Sequence, residues 1–348
     1  MLLQNDFPKY FMDLAQNIVT KKANGISFIF RFVCSTGDKL VATNTNETLV
    51  QYENYKEGFY SPKESAVLQK LYIENEFKDS YKKDDKEPFE SCVLYQKDVF
   101  FYKINDSIRN KIKIAELYTS KDPAREFMQG VFFDKEGKIV ATDGRIMYVT
   151  NGIPEFPVCQ IKVTKILLKI LDIADYIEMG IKYANSKNKE TNQEVRVAKY
   201  IIFNFKIGTS EFTYSCKLIE GKFPNWKAVI PEKQDFHVVP FDKKIWKDIY
   251  SASKKLQPKN DKNLCFTIED SNHVTISNDD IVYATIEWSI EPDINKRNVL
   301  VFNADYLNIL LTKSGELIDI GYTNFLRAFT FTYKDGSIAV AMPTQIKE

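Results

Sequence analysis

The sequence predicts an α+β protein built from three similar domains, each with two helices packed on antiparallel sheets. A strand pattern that ends in a polar turn residue recurs at about one-third intervals of the 348-residue chain, as KLVATN over 39–44, KIVATD over 138–143 and, more faintly, VTISN over 274–278. Each third also carries about two helical patterns between short strands, without the strict alternation of a parallel α/β sheet. The predicted domains are 1–118, 119–235 and 236–348.

The helices of the first third are predicted from apolar spacing and from capping residues. Four apolar residues at steps of three and four form one stripe: Phe7, Phe11, Leu14 and Ile18. A second helix is predicted over 61–74, where Ser61 stands at the cap position and Pro62 at the first helical position.

The later helices are predicted over about 111–118, 164–175, 242–257 and 303–313. On the 164–175 helix, the apolar stripe consists of Ile166, Ile170 and Ala174. On the 242–257 helix, the spacing predicts a buried stripe made of Ile245, Ile249, Ala252 and Leu256.

Short segments rich in β-branched and aromatic residues lie between the helices, and such segments are typical of strands. The clearest of them are 26–33, 98–104, 199–206, 211–218 and 328–333.

The composition is that of an ordinary globular protein, with 44% hydrophobic and 27% charged residues. A net charge of +1 argues against a strongly basic nucleic-acid binder and against an acidic tail, so a DNA-facing surface would have to arise from the arrangement of charges. No apolar run approaches the roughly 18 residues of a membrane span, and the first residues lack the pattern of a signal peptide.

Cysteine and histidine usage gives little support to metal binding or catalysis. The five cysteines are far apart and include no CxxC pair, which predicts reduced thiols in a cytoplasmic protein. The only histidines are His237 and His273. No catalytic residue, metal site or cofactor is therefore expected.

Lysines cluster on the polar faces of three predicted helices. Lys243, Lys247 and Lys254 share one face of 242–257, Lys165 and Lys169 lie together on 164–175 just after Lys162, and the first helix ends at Lys21 and Lys22. Such residues are common on any solvated face. They also suit a surface that follows the phosphate backbone through contacts that are independent of sequence and screened by salt.

Three segments carry a family resemblance: REFMQGVFFDKEGKIVATDGRIMYV over 125–149, CKLIEGKFPNWKAVIP over 216–231 and YKDGSIAVAMPTQI over 333–346. In order and spacing they resemble the bacterial sliding clamp, the beta subunit of DNA polymerase III. The resemblance is clear over about 110–348 and vague over 1–110. The family usually has His-Arg-Leu where this chain has Arg145, Ile146 and Met147, which points to a different peptide preference.

The resemblance implies a head-to-tail ring of two subunits, with helices around a central hole through which DNA passes. Such a protein tethers a polymerase and performs no chemistry. Its implied partners are double-stranded DNA of any sequence, a second copy of the chain, and the replicative polymerase and clamp loader, which bind through short linear peptides. The implied location is the cytoplasm, in association with the nucleoid.

The family's partner peptides enter a hydrophobic cleft, and the motif positions carry over residue by residue. The cleft positions are Met128, Thr142, Gly144, Arg145, Met147, Pro231, Val340, Met342 and Pro343. The lysines that would face DNA are Lys21, Lys22, Lys162, Lys165, Lys169, Lys243, Lys247 and Lys254.

Two other interpretations remain open on the sequence. The first is a monomeric peptide-binding module derived from a clamp, which would not form a ring. The second is an enzyme, although the sequence contains no GxGxxG, P-loop, GxSxG or HExxH motif. Its best acidic candidates, Asp143, Asp279 and Asp280, stand at predicted turns, where Asp serves the backbone.

Overall fold

The computed structural model describes residues 9–19, 33–55, 57–60, 87–187, 194–231, 237–239, 241–256, 262–278, 281–288, 299–323 and 327–344. The helix predicted over 61–74, most of the strand predicted over 26–33, and Phe7, Lys21 and Lys22 lie outside these residues. The chain folds into two compact units, the first made of Met1–Lys113 and Phe156–Glu220, the second of Ile114–Glu155 and Gly221–Glu348.

Single helices are separated by one to four strands along the described chain. The helices are α1 (Lys9–Ala15), α2 (Glu87–Cys92), α3 (Asp106–Glu116), α4 (Lys165–Ile173), α5 (Lys243–Leu256) and α6 (Ala304–Asn308), the last continued by a π-helical turn, Ile309–Lys313. The strands are β1 (Val33–Ser35), β2 (Leu40–Thr43), β3 (Glu47–Gln51), β4 (Gly58–Tyr60), β5 (Phe101–Lys103), β6 (Val131–Phe133), β7 (Lys138–Thr142), β8 (Ile146–Asn151), β9 (Cys159–Ile161), β10 (Tyr176–Lys187), β11 (Glu194–Ile207), β12 (Ser210–Lys217), β13 (His237–Val238), β14 (Asn263–Ile268), β15 (His273–Asn278), β16 (Ile281–Glu287), β17 (Val299–Asn303), β18 (Leu317–Tyr322), β19 (Phe329–Tyr333) and β20 (Ile338–Ala341).

An antiparallel sheet forms the frame of the first unit, with its strands in the order β4-β1-β2-β3-β12-β11-β10-β5. Strand β3 pairs with β12, where Leu49 lies opposite Tyr214. Helix α1 contacts α4. Helix α4 begins after Thr164, whose hydroxyl accepts the Leu167 N–H and so caps the first turn. The stripe predicted on this helix is confirmed, because Ile166, Ile170 and Ala174 are all buried.

The second unit has two antiparallel sheets. Seven of its strands pair in the order β13-β18-β19-β20-β8-β7-β6, and four pair in the order β16-β15-β14-β17. Strand β20, near the end of the described chain, pairs with β8 from its middle, and Val340 lies opposite Met147. This pairing brings the third resemblance segment into one sheet with the first.

The internal repeat is visible in the side-chain hydrogen bonds of two hairpin turns. Thr43 donates to the carbonyl oxygen four residues later and accepts the N–H two residues later, and Thr142 makes the same pair of bonds. The Asn or Asp that follows each Thr accepts two further backbone N–H groups. The next residues, Thr45 and Gly144, have φ of 72° and 90°. The two sequence copies therefore fold into the same turn.

One order of elements, a strand, a helix and three strands, recurs four times from β5 to β20. The four copies are β5-α3-β6-β7-β8, β9-α4-β10-β11-β12, β13-α5-β14-β15-β16 and β17-α6-β18-β19-β20. The division into three domains at 118 and 235 stays a prediction. The repeated order favours a first boundary before Phe101, because β5 pairs with β10 and α3 bonds to the end of α4 through Arg109 and Ala174.

The stripe predicted on α5 is wrong for two of its four members. Ile245 and Leu256 are 44% and 56% exposed, whereas Trp246, Ile249 and Ser253 are buried. The helix is turned by about one residue relative to the prediction. This orientation buries the large apolar ring of Trp246. Burying that ring contributes more free energy than burying one aliphatic side chain.

Hydrogen bonds between buried hydroxyl groups join segments of the second unit that are far apart in sequence. The Tyr118 hydroxyl lies 2.6 Å from Ser314 Oγ, and Ser314 Oγ donates its proton to the Ile309 carbonyl oxygen, so Tyr118 is the donor of the first bond. The ring of Tyr118 stacks on Tyr148, whose hydroxyl donates to Ser337 Oγ at 3.0 Å. Burial raises the pKa of Tyr118 well above its usual value.

We expect Tyr118→Phe to destabilise the second unit by about 1–2 kcal/mol, because it removes a buried hydrogen bond and leaves Ser314 with one acceptor site unfilled. The measurement is the shift of the urea midpoint followed by near-ultraviolet circular dichroism. Tyr95→Phe is the matched control, since Tyr95 is 86% exposed and its loss should leave the midpoint unchanged. Equal shifts in the two variants would contradict the role given to this hydroxyl.

Among the described residues, no helix has both the length and the apolar character that a bilayer crossing requires.

Candidate peptide-binding cleft and DNA-facing helices

The nine predicted cleft residues all lie in the second unit, on four segments. These segments are the 3₁₀ helix Pro123–Met128, the turn between β7 and β8, the stretch that follows the 3₁₀ helix Trp226–Val229, and the chain from β20 to Thr344. A hydrogen bond from Arg125 to the Asp143 carbonyl oxygen joins the first two segments. The pairing of β8 with β20 joins the second segment to the fourth.

The turn between β7 and β8 presents backbone to solvent. Gly144 is exposed, and a Cβ added there would lie 3.0 Å from Arg125 Nη1 and 3.7 Å from Met128 Sδ. Arg125 Nη1 donates to the Asp143 carbonyl oxygen at 2.9 Å and so fixes the 3₁₀ helix against the turn. Gly144 therefore leaves room for the side chains of Arg125 and Met128 to approach the backbone closely.

We expect Gly144→Ala to lower stability by about 1 kcal/mol through its φ of 90°, and by up to about 1 kcal/mol more through loss of the bond between Arg125 and Asp143. Gly336→Ala is the matched control, because Gly336 has a φ of 78° and an added Cβ would meet nothing within 4 Å. The comparison of urea midpoints separates the two contributions. Equal losses in the two variants would show that the contact contributes nothing.

The C-terminal segment continues past β20 along a defined path. The Met342 N–H donates to the Arg145 carbonyl oxygen at 3.0 Å, and the Thr344 N–H donates to the Val301 carbonyl oxygen at 2.7 Å. These bonds hold Met342 and Pro343 beside the β7–β8 turn. Met342 is 47% exposed, so its side chain is accessible beside this turn.

Two of the predicted cleft residues are buried in the protein's own core. Met147 and Val340 are 3% and 4% exposed and pack in a cluster with Phe223. The ring of Phe223 stacks on Phe132 at 4.6 Å. Met147 and Val340 therefore belong to the core beside the candidate cleft and offer little surface of their own to a partner.

The remaining predicted residues divide by exposure. Gly144, Arg145 and Met342 are exposed, Met128, Pro231 and Pro343 are partly exposed, and Thr142 is buried. The accessible part of the candidate cleft is thus a patch of mixed character, with two methionines and one arginine around an exposed glycine turn. Methionine suits such a patch because its flexible side chain adapts to different ligands.

Tyr306 of α6 also belongs to this site, although the sequence analysis did not identify it. Partial burial and a hydrogen bond with the Asp143 carboxylate raise the pKa of Tyr306 to about 12, while Arg145 and Arg125 oppose the increase. Asp143 thereby links the tyrosine to the exposed turn. No spacing rule could reveal this contact, because the two residues are far apart in sequence.

The predicted DNA-facing lysines within the described chain are all exposed. Lys162 precedes α4, Lys165 and Lys169 lie on the exposed face of α4, and Lys243, Lys247 and Lys254 lie on α5. Lys254 Nζ is 5.3 Å from the ring centre of Tyr250. For Lys165, Lys169 and Lys247, no carboxylate of the described residues lies within ion-pair distance. Their charges are therefore not neutralised by the described part of the chain.

In the described part of the chain, no three His, Cys, Asp or Glu side chains are grouped closely enough to hold a metal ion. The five cysteines are free, and burial raises the pKa of the Cys216 thiol to about 12, which disfavours the reactive thiolate.

The chain is similar in sequence to one characterised family. It is 20% identical over 226 residues to the beta sliding clamp of Haemophilus influenzae, a match that covers 64% of this chain and 58% of that protein. The match thus spans less than two thirds of the length of this curated relative. No protein-family model matches the chain.

Solved structures match nearly the whole chain. The DNA polymerase III beta subunit of Thermotoga maritima has a TM-score of 0.68 at 17% identity and 97% coverage of both chains. The sliding clamp of Bacillus subtilis has a TM-score of 0.69 at 15% identity, with 99% of this chain and 98% of that chain covered.

A third structure, the sliding clamp of Bartonella birtlesii bound to griselimycin, has a TM-score of 0.68 at 16% identity and covers 97% of this chain and 98% of that one. The likeness extends through the first third, where the sequence resemblance was vague. The resemblance is therefore confirmed, and the chain has the fold of the bacterial sliding clamps, the beta subunits of DNA polymerase III.

Proposed function

We propose that this protein is a non-catalytic DNA sliding clamp, which encircles duplex DNA and tethers a replicative polymerase. The observation that carries the proposal is the agreement with solved sliding clamps over 97% of the chain, at low identity. A ring-forming protein needs its whole architecture, so a match over nearly the whole chain supports this function better than a local motif would.

The peptide cleft of the proposed clamp consists of the exposed turn at Gly144 and Arg145, the flanking side chains of Met128 and Met342, and Tyr306. Its partners would be short linear peptides of the polymerase and of the clamp loader. The accessible side chains of the two methionines support this assignment, since an adaptable apolar patch accepts several related peptides. The arginine and the tyrosine would add fixed hydrogen-bonding groups at its edge.

The DNA-facing surface of the proposed clamp consists of the lysines on α4 and α5. Ammonium groups without carboxylate partners in the described chain are available to phosphates. Contacts of this kind carry no sequence information, so they would leave the protein free to move along the duplex.

We further propose that two copies of the chain, each of three domains, close head to tail into the ring. Multi-angle light scattering after gel filtration tests this assembly. A species of twice the 40.4 kDa chain mass is expected at micromolar concentration. A single 40.4 kDa species at all accessible concentrations would support a monomeric peptide-binding module and count against the clamp.

A further inference from the structure

The part of the second unit that contains α5 and α6 encloses a cavity of about 430 Å³. Its walls come from these two helices and from strands β14 to β19, and they are almost entirely aliphatic and aromatic. Close-packed protein cores hold few voids larger than a water molecule. The volume of this cavity instead falls in the range of small-molecule binding sites.

Two tryptophans of the cavity wall carry donors without acceptors. Trp246 and Trp288 are 4% and 3% exposed, and within the described chain neither indole Nε1–H has a hydrogen-bond partner. An indole nitrogen can only donate, so only an acceptor can satisfy it. Buried donors without partners are unusual in native proteins, so a ligand with an acceptor atom would supply what the described residues do not.

The open side of the cavity is acidic. The most exposed lining residues are Asp242, Ile245, Thr285 and Glu287. Asp242 is held in place because its Oδ1 accepts the N–H groups of Lys244 and Ile245 at the start of α5. Two carboxylates at the entrance disfavour anionic ligands such as fatty acids or phosphate esters.

We propose that this cavity binds a neutral, largely apolar small molecule that carries a hydrogen-bond acceptor, such as a ketone, ester or amide carbonyl. The apolar walls surround the body of the molecule, the indole N–H groups donate hydrogen bonds to its oxygen, and the acidic entrance selects against negative charge. The site is separate from the cleft at Gly144 and does not depend on DNA binding.

Prodan, a neutral naphthyl ketone whose emission reports the polarity of its surroundings, is the first probe. We expect saturable binding of one molecule per chain to the full-length protein, with a blue shift of the emission. The corresponding dimethylaminonaphthalene without the ketone should bind about three- to tenfold more weakly, because it offers no acceptor to the indole donors. Absence of saturable binding up to the solubility limit of prodan would overturn the proposal.

Tryptophan substitutions connect the binding to the two donors. Trp246→Phe and Trp288→Phe should each reduce the affinity difference between the two naphthyl compounds. Trp226→Phe is the matched control, because Trp226 packs near Phe223 and does not line the cavity. An affinity difference that survives both cavity substitutions would show that the indole groups do not recognise the ketone.

Filling the cavity provides an independent measurement. Ile276 and Leu300 are buried in its wall, so Ile276→Phe and Leu300→Phe should occupy the space, weaken prodan binding at least tenfold and leave the urea midpoint unchanged or higher. A folded filling variant that binds prodan as tightly as the natural chain would overturn the assignment of the probe to this cavity. If neither variant folds, the tryptophan comparison decides.

Discussion

Replacing Lys165, Lys169 and Lys247 together by Ala should weaken binding to a short linear duplex by roughly tenfold per lysine at about 50 mM salt. The physical reason is the release of counterions, since each lost phosphate contact lowers the slope of log affinity against log salt by about 0.9. The slope should therefore fall by about 3. The measurement is fluorescence anisotropy of a labelled linear duplex, whose open ends allow threading through a closed ring.

The matched control replaces Lys97, Lys135 and Lys222 by Ala. These three lysines are equally exposed but lie on turns outside α4 and α5. The control should keep the salt slope of the natural chain. If the salt slope falls equally in both triple variants, the interaction depends on overall charge and not on the lysines of α4 and α5.

Replacing Met128 and Met342 together by Ala should weaken griselimycin binding by about ten- to hundredfold. The sliding clamp of Bartonella birtlesii was solved bound to griselimycin, so we choose this molecule as the probe of the proposed cleft. Each substitution removes part of the free energy gained when a methionine side chain is buried, and this corresponds to about three- to tenfold in affinity. The two losses should be nearly additive. Isothermal titration calorimetry measures the affinity directly.

Val238→Ala with Ile318→Ala is the matched control for the methionine pair. Both residues are apolar and mainly exposed, at 66% and 62%, and both lie on strands away from the proposed cleft. Their loss should leave griselimycin affinity unchanged. A methionine variant that binds as tightly as the control would remove Met128 and Met342 from the site.

Much of the fold could be predicted from the sequence where local rules dominate. The helix over 164–175 was predicted almost to its ends, because Thr164 caps it and its apolar stripe is regular. The repeated turns after Thr43 and Thr142 were also visible, since the hydroxyl and carboxamide or carboxylate groups that form them act within a few residues. Hydrogen bonds of this kind depend only on residues that are neighbours in the sequence, so the sequence predicts them.

Other features depended on contacts between distant residues. The orientation of α5 is set by Trp246, whose ring packs among residues of strands β14 to β19. The apolar spacing within the helix contains no information about these strands. Helix α3 begins five residues earlier than predicted, at Asp106, where the Asn105 side chain accepts the Ile108 N–H. The prediction gave weight to apolar spacing and missed this cap.

The candidate cleft shows the same division. The turn at Gly144 and the exposed Met342 follow from motifs that the family resemblance carries. The burial of Met147 and Val340 follows from the pairing of β8 with β20, and the contact of Tyr306 with Asp143 follows from the position of α6. A sequence pattern identifies residues of a site, but the packing of several segments decides which of them remain accessible.

Encirclement of DNA is the central claim, and negative-stain electron microscopy of the purified full-length protein tests it most directly. We expect closed rings with a central hole wide enough for a duplex and a symmetry that gives two subunits. Compact or crescent-shaped particles without a hole, at concentrations where light scattering finds a single chain, would contradict the proposal that this protein acts as a sliding clamp.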